Sequence, residues 1–235
     1  MRGCEFIITK TGREAGKFLS LFSLAVFACT LLVYRGIVLG GAMFTFLLWN
    51  LFLAWIPYGV SGVMLLINNS AKFKPRLLFI FPLGALWLIF FPNAPYILTC
   101  YAHFSWMGFF HESGFTLRPW YDFILFSSFI LCGVLAGLAS LRTIHGIIEK
   151  YFGEAVGWGV VIIVNFLSGC AIYLGRFIRL NSWDIKNPGV LLPHIRLDNE
   201  KALFIIALSM FFMMVYVVIY NFGGKSIEGA GDGDE

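Results

Sequence analysis

Leu86–Thr99 reads LWLIFFPNAPYILT, an apolar run that meets Pro92 and Pro95 within four residues. Neither proline has an N–H, so neither bonds back to the carbonyls of Leu88 and Phe91, and the helix carrying the run falters there. Asn93 is placed to cap a new helix through Ile97 and Thr99 towards His103. In a bilayer, irregular backbone is tolerated only where it faces protein or water. The stretch therefore predicts a broken helix enclosed by other spans.

The rest of the chain supplies those spans. Of 235 residues, 59% are apolar and 13% charged, with a mean hydropathy of +0.82, against about 25% charged in a soluble domain. Crossing ~30 Å of hydrocarbon takes about 20 helical residues. Six segments qualify: approximately Phe18 to Tyr34, Met43 to Ile67, Leu77 to Phe91, Trp120 to Ser140, Val156 to Phe177 and Ala202 to Phe222; a seventh would require Pro57 to divide the second. The expectation is an all-α polytopic bundle, with residues 1–222 one transmembrane domain and 223–235 a disordered, acidic, Gly-rich tail. Arg2, Lys10, Arg13 and Lys17 ahead of the first segment resemble a signal sequence, but bulky Phe27 and the apolar run past Cys29 favour a retained helix.

The net charge of +4 is scattered among acids, which excludes a nucleic-acid stripe. The five cysteines form no CxxC; Cys29, Cys132 and Cys170 lie in apolar spans and read as packing residues. Asn50 and Pro57 predict a polar contact or kink in the second segment. Gly133 and Gly137, at GxxxG spacing, predict close helix packing. No internal repeat supports an inverted-repeat transporter.

Parity places the loops after segments three and five on one side, the side that carries FPNAPY, PWYD and GRFIRLNSWD, so these can converge on one site. The N-terminal side carries ten cations (Arg2, Lys10, Arg13, Lys17, Lys72, Lys74, Arg76, Arg142, Lys150, Lys225), the other seven (Arg35, Arg118, Arg176, Arg179, Lys186, Arg196, Lys201). The positive-inside bias predicts cytoplasmic N- and C-termini and an extracytoplasmic polar site.

In segment five, helical spacing puts Asn165, Ser168, Gly169, Arg176 and Arg179 on one stripe that should face protein. Arg176 and Arg179 are either a two-pronged clamp for phosphate or carboxylate, or anchors paired with Asp122 and Asp184. The Asn93 amide and the N–H groups after it add donors that favour an anion. Asp122 and Asp184 are the candidate general bases. His103, His111 and His194 lack metal-ligand spacing, and His145 falls on the opposite side. Tyr96, Tyr121, Tyr173, Trp106, Trp120 and Trp183 suit an interfacial aromatic belt or, more sharply, a substrate platform. No nucleophile elbow, phosphate loop or dinucleotide fingerprint occurs, and no cofactor is implied.

Taken in order, WNLFLAWIP from Trp49, LWLIFFPNAPYILT from Leu86, PWYD from Pro119 and SGCAIYLGRFIRLNSWD from Ser168 resemble the signature blocks of domain-of-unknown-function family 1361, a group of bacterial integral membrane proteins. The resemblance implies architecture and no particular activity. It extends to Asn93, Pro95, Tyr96 and Thr99, then Trp120, Tyr121 and Asp122, then Tyr173, Arg176, Arg179, Asn181, Trp183 and Asp184. This chain departs from the pattern at Cys100, where the family carries Asp, so a mechanism needing that carboxylate is not implied here. The functional expectation is a protein that binds or processes an anionic lipid or lipid-linked phosphate. A small-anion transporter and a non-catalytic scaffold are the rival readings.

Overall fold

The computed structural model describes residues 2–40, 44–70, 76–106, 117–178 and 198–224. They are helical, with no strand among them: α1 (Arg2–Ile37), α2 (Phe46–Asn69), α3 (Arg76–Phe90), α4 (Asn93–Tyr96), a 3-10 turn (Ile97–Ala102), α5 (His103–Trp106), α6 (Leu117–Phe152), α7 (Glu154–Tyr173), a π turn (Leu174–Ile178) and α8 (Asn199–Gly224). Six helical stretches are long and apolar enough to cross a membrane, the third being the bent Leu78–Ser105.

Helix α6 is the axis of the bundle. Of its most apolar stretch 67% is buried, against 17 to 39% for the other five. Helices α1, α2 and α7 pack on it, α3 packs on α2, and α8 packs on α7. Exposed Phe22, Phe52, Ile163 and Phe211 face outward, as lipid tails allow. Association in lipid rests on close packing and interhelical hydrogen bonds.

The expected GxxxG packing is present, and its partner is the broken segment. A Cβ added to Gly137 would lie 2.5 Å from the Ala94 Cβ, and one on Gly133 would lie 3.0 Å from Ile97 and 3.2 Å from Ala54. The glycines thus form the trough that receives α4 and the 3-10 turn. Pro57 stays inside a continuous α2. Its carbonyl accepts from Ser140 Oγ at 2.9 Å, and Ser140 Oγ accepts from Trp87 Nε1 at 2.6 Å, joining α2, α6 and α3.

The segment boundaries differ from expectation where polar sequence continues a helix. The fourth segment runs to Phe152 instead of Ser140, a helix of 36 residues, or roughly 54 Å. The single residue Gly153, at φ 88°, then turns the chain into α7. The last helix continues to Gly224, past the expected Phe222, while the tail from 225 onward lies outside the described residues.

Candidate functional site

At the end of the bundle where α1 stops and α6 starts, Asp122 and Arg35 form a buried ion pair. Arg35 Nε lies 2.6 Å from Asp122 Oδ1 and Nη2 lies 3.2 Å from Oδ2, a two-toothed engagement. Their side chains are 5% and 10% exposed. The guanidinium also donates through Nη1 to the Gly40 carbonyl and stands 5.3 Å over the Phe44 ring. Arg118 Nη2 donates to the same Gly40 carbonyl at 2.7 Å. Tyr121 Oη donates to the Leu31 carbonyl at 2.7 Å. The PWYD block therefore anchors the C-terminal end of α1.

Of the two readings of the segment-five arginines, the one that pairs Asp122 with Arg176 is not the arrangement found, since Asp122 is engaged by Arg35. Arg176 makes no ion pair with another described residue. Sequence reasoning missed Arg35, counting it only towards orientation. The available signal was parity, which placed Arg35 and Asp122 at the same membrane face.

The broken helix satisfies itself more fully than expected. Pro95 cannot serve the Phe91 carbonyl, and Ala94 N–H serves it instead at 3.0 Å. That leaves the Phe90 carbonyl without its helical donor, and Asn93 Nδ2 supplies one at 2.9 Å. Asn93 thus bonds backward to the end of α3 and does not cap α4, whose N-cap residue is Pro92. Tyr96 N–H bonds to the Pro92 carbonyl at 3.0 Å and Thr99 Oγ1 to the Tyr96 carbonyl at 2.8 Å. The N–H groups of Ala94 and Tyr96 are spent, so the anion-binding helix start expected after Asn93 is not available.

Asn50 Nδ2 reaches Cys100 Sγ at 3.5 Å. Half-buried Arg176, on the π turn, is near enough to Cys100 to act on it electrostatically. His103 Nδ1 contacts the Cys100 carbonyl at 3.0 Å, and its ring stacks on Phe46 at 4.5 Å. Within α7, Asn165 and Ser168 are buried and donate to the Val161 and Val164 carbonyls. Gly169 abuts Ser209 of α8, where an added Cβ would lie 2.2 Å from Oγ. The stripe faces protein as expected. A π turn then begins at Leu174 and changes the helical phase before Arg176. Tyr173 is buried, its ring stacked on Phe177 at 5.5 Å. Arg179, Asn181, Trp183, Asp184, His111 and His194 lie outside the described residues.

These features define a polytopic helical membrane protein with a polar cluster at one end of its bundle. The chain matches the family described as "Protein of unknown function (DUF1361)" over residues 49–217, and it belongs to that family. Arg35, the counter-ion of Asp122, precedes the matched stretch. Comparison with curated proteins and with solved structures returns no match.

Proposed function

We propose that the protein binds an anionic, phosphate-bearing group, a lipid headgroup or a lipid-linked phosphate, at Arg176 beside the broken helix. One observation carries this reading. Asp122, one of the two acids expected to neutralise Arg176, is committed to Arg35, and Arg176 is left half-buried with no ion-paired partner among the described residues. A guanidinium in that setting favours a phosphate, which it engages through two parallel N–H groups. Cys100, which Asn50 contacts, lies within electrostatic range of the Arg176 charge. Arg179, Asn181, Trp183, Tyr173 and Asp184 complete the site in this reading, with Asp184 as its candidate base. Asp122 serves as a structural anchor. The Lys and Arg distribution supports an extracytoplasmic site with both termini cytoplasmic in an inner membrane.

A scaffold role is the second reading, favoured by the internal pairing of Asp122, Asn93 and Thr99. Thermal stability and co-purifying phosphate in the solvent-extracted and aqueous fractions, measured for wild type, Arg176→Lys and Arg176→Ala, separate the two. The binding reading expects both variants to fold and to lose phosphate, because Lys keeps charge but not the fork. Phosphate unchanged in Arg176→Ala would leave the scaffold reading standing.

A further inference from the structure

At the other end of α6 lies a second polar cluster that the proposed site does not use. His145 is 1% exposed, and its Nδ1 lies 2.7 Å from Oη of the fully buried Tyr216 on α8. The ring sits among Trp158 of α7, edge-on at 4.8 Å, and Tyr220 of α8 at 5.4 Å. Its buried Nε2 has no hydrogen-bond partner among the described residues. A Cβ on Gly157 would lie 2.8 Å from that nitrogen and 2.7 Å from Cδ2, so the Nε2–Cδ2 edge of the ring is closed off by the α7 backbone and Nε2 is out of reach of water.

Both neutral tautomers leave this arrangement incomplete. If the Tyr216 hydroxyl donates to Nδ1, the Nε2 proton has no acceptor. If Nδ1–H donates to Tyr216, the Nε2 lone pair is idle. A buried polar atom without a partner calls for a reason. The space is too small for anything larger than a proton.

We propose that His145 is a proton-binding site whose occupancy releases α7 from α6. A protonated imidazole is a donor at both nitrogens. Nδ1–H keeps Tyr216, whose hydroxyl oxygen accepts, while Nε2–H requires an acceptor that its present packing against Gly157 denies. The charged groups facing the ring are Arg142 and Glu149 from α6 and Glu154 from α7, and α8 contributes the phenols Tyr216 and Tyr220. Arg142 is held to the Tyr220 carbonyl at 2.9 Å and over its ring at 4.8 Å. It therefore stays as a fixed cation that repels a charged imidazole. Glu149 follows His145 by one helical turn and already borders Gly157, its Cβ 3.5 Å from the position of an added Cβ. Turning Nε2–H towards Glu149 lifts the ring off Gly157, and the α6–α7 contact at that point opens.

The test compares the intact protein in nanodiscs at pH 8 and pH 5, on either side of the ordinary histidine range of about 6.5. Wild type should lose about 3 to 5 °C of Tm at pH 5 relative to pH 8, the effect of roughly a tenfold shift in the unfolding equilibrium for a chain of this size. His145→Gln should lose none beyond the buffer background. Glu149→Leu, which removes the new acceptor, should lose more than wild type. Trp158 emission, obtained by subtracting Trp158→Phe, should fall in wild type as the adjacent ring becomes charged, and this readout stands even where a His145 variant fails to fold. Parallel Tm curves for wild type and His145→Gln, or Trp158 emission constant from pH 8 to pH 5, would overturn the proposal.

Discussion

Replacing Arg35 by Met tests whether the α1–α6 ion pair holds this end of the bundle. The substitution keeps the length of the side-chain stem and removes both N–H contacts to Asp122, leaving a carboxylate 10% exposed without its counter-ion. Breaking one side of a buried pair costs about 3–5 kcal/mol. For a chain of this length each kcal/mol moves Tm by about 2–4 °C, so a fall of roughly 6 to 20 °C is expected by intrinsic-fluorescence melting in detergent. Asp122→Asn should be milder, about 1–3 kcal/mol. Its amide oxygen still accepts from Nε, and Arg35 keeps the Gly40 carbonyl and the Phe44 ring. The double variant Arg35→Met with Asp122→Leu removes both charges and should recover most of the loss, because apolar replacement of a complete buried pair is often neutral. A double variant no more stable than Arg35→Met, or Arg35→Met melting above Asp122→Asn, would refute the reasoning.

Two further outcomes follow from the packing and the charge distribution. Gly137→Val should destabilise by about 1–3 kcal/mol, since its Cβ would meet the Ala94 Cβ at 2.5 Å, whereas Gly59→Ala, with open space around it, should be neutral or slightly stabilising in the same melt. A reporter fused after Phe222 should read cytoplasmic, because six spans return the chain to the cation-rich side. A periplasmic reading there with a cytoplasmic N-terminus would mean an odd number of spans.

The six spans and the break at Pro92 were legible because hydropathy and the missing proline N–H act locally. What the residues contact was much less legible. Parity fixed the side of the membrane for Arg35 and Asp122, but the two are 87 residues apart in the chain and no pattern in either segment names the other. Asn93 was misread because capping preference describes the helix that begins, whereas the unmet need was the Phe90 carbonyl of the helix that ends. The stripe on α7 held through Gly169 and then overran, since an extrapolation at 100° per residue does not foresee a π turn. Helix α6 ran longer than its apolar core because a helix need not stop where the hydrocarbon does: it continues through Gly146 and ends only at Gly153, which takes a positive φ.

The two polar clusters also fix how the molecule can sit in a bilayer. Asp122 and His145 are 23 residues apart on one continuous helix, or roughly 35 Å at 1.5 Å per residue, close to the ~30 Å thickness of the hydrocarbon. Each cluster then falls near an interface. The positions fit exposed Tyr34, Trp49 and Trp120 at the Asp122 end and Tyr151 at the other, where amphipathic rings settle at headgroup depth. A charge near the interface costs less than the roughly 2.5 to 3.5 kcal/mol of a central one on insertion scales. The Arg35–Asp122 pair therefore needs no compensation from the bilayer midplane. Between the clusters α6 buries Phe129, Cys132, Ala136 and Ser140 against its neighbours, and Ser140 is the polar exception among these four, satisfied by Trp87 and the Pro57 carbonyl. Small-residue packing in the middle of α6 thus separates a fixed ion-pair anchor at one end from the histidine contact proposed to respond to protons at the other.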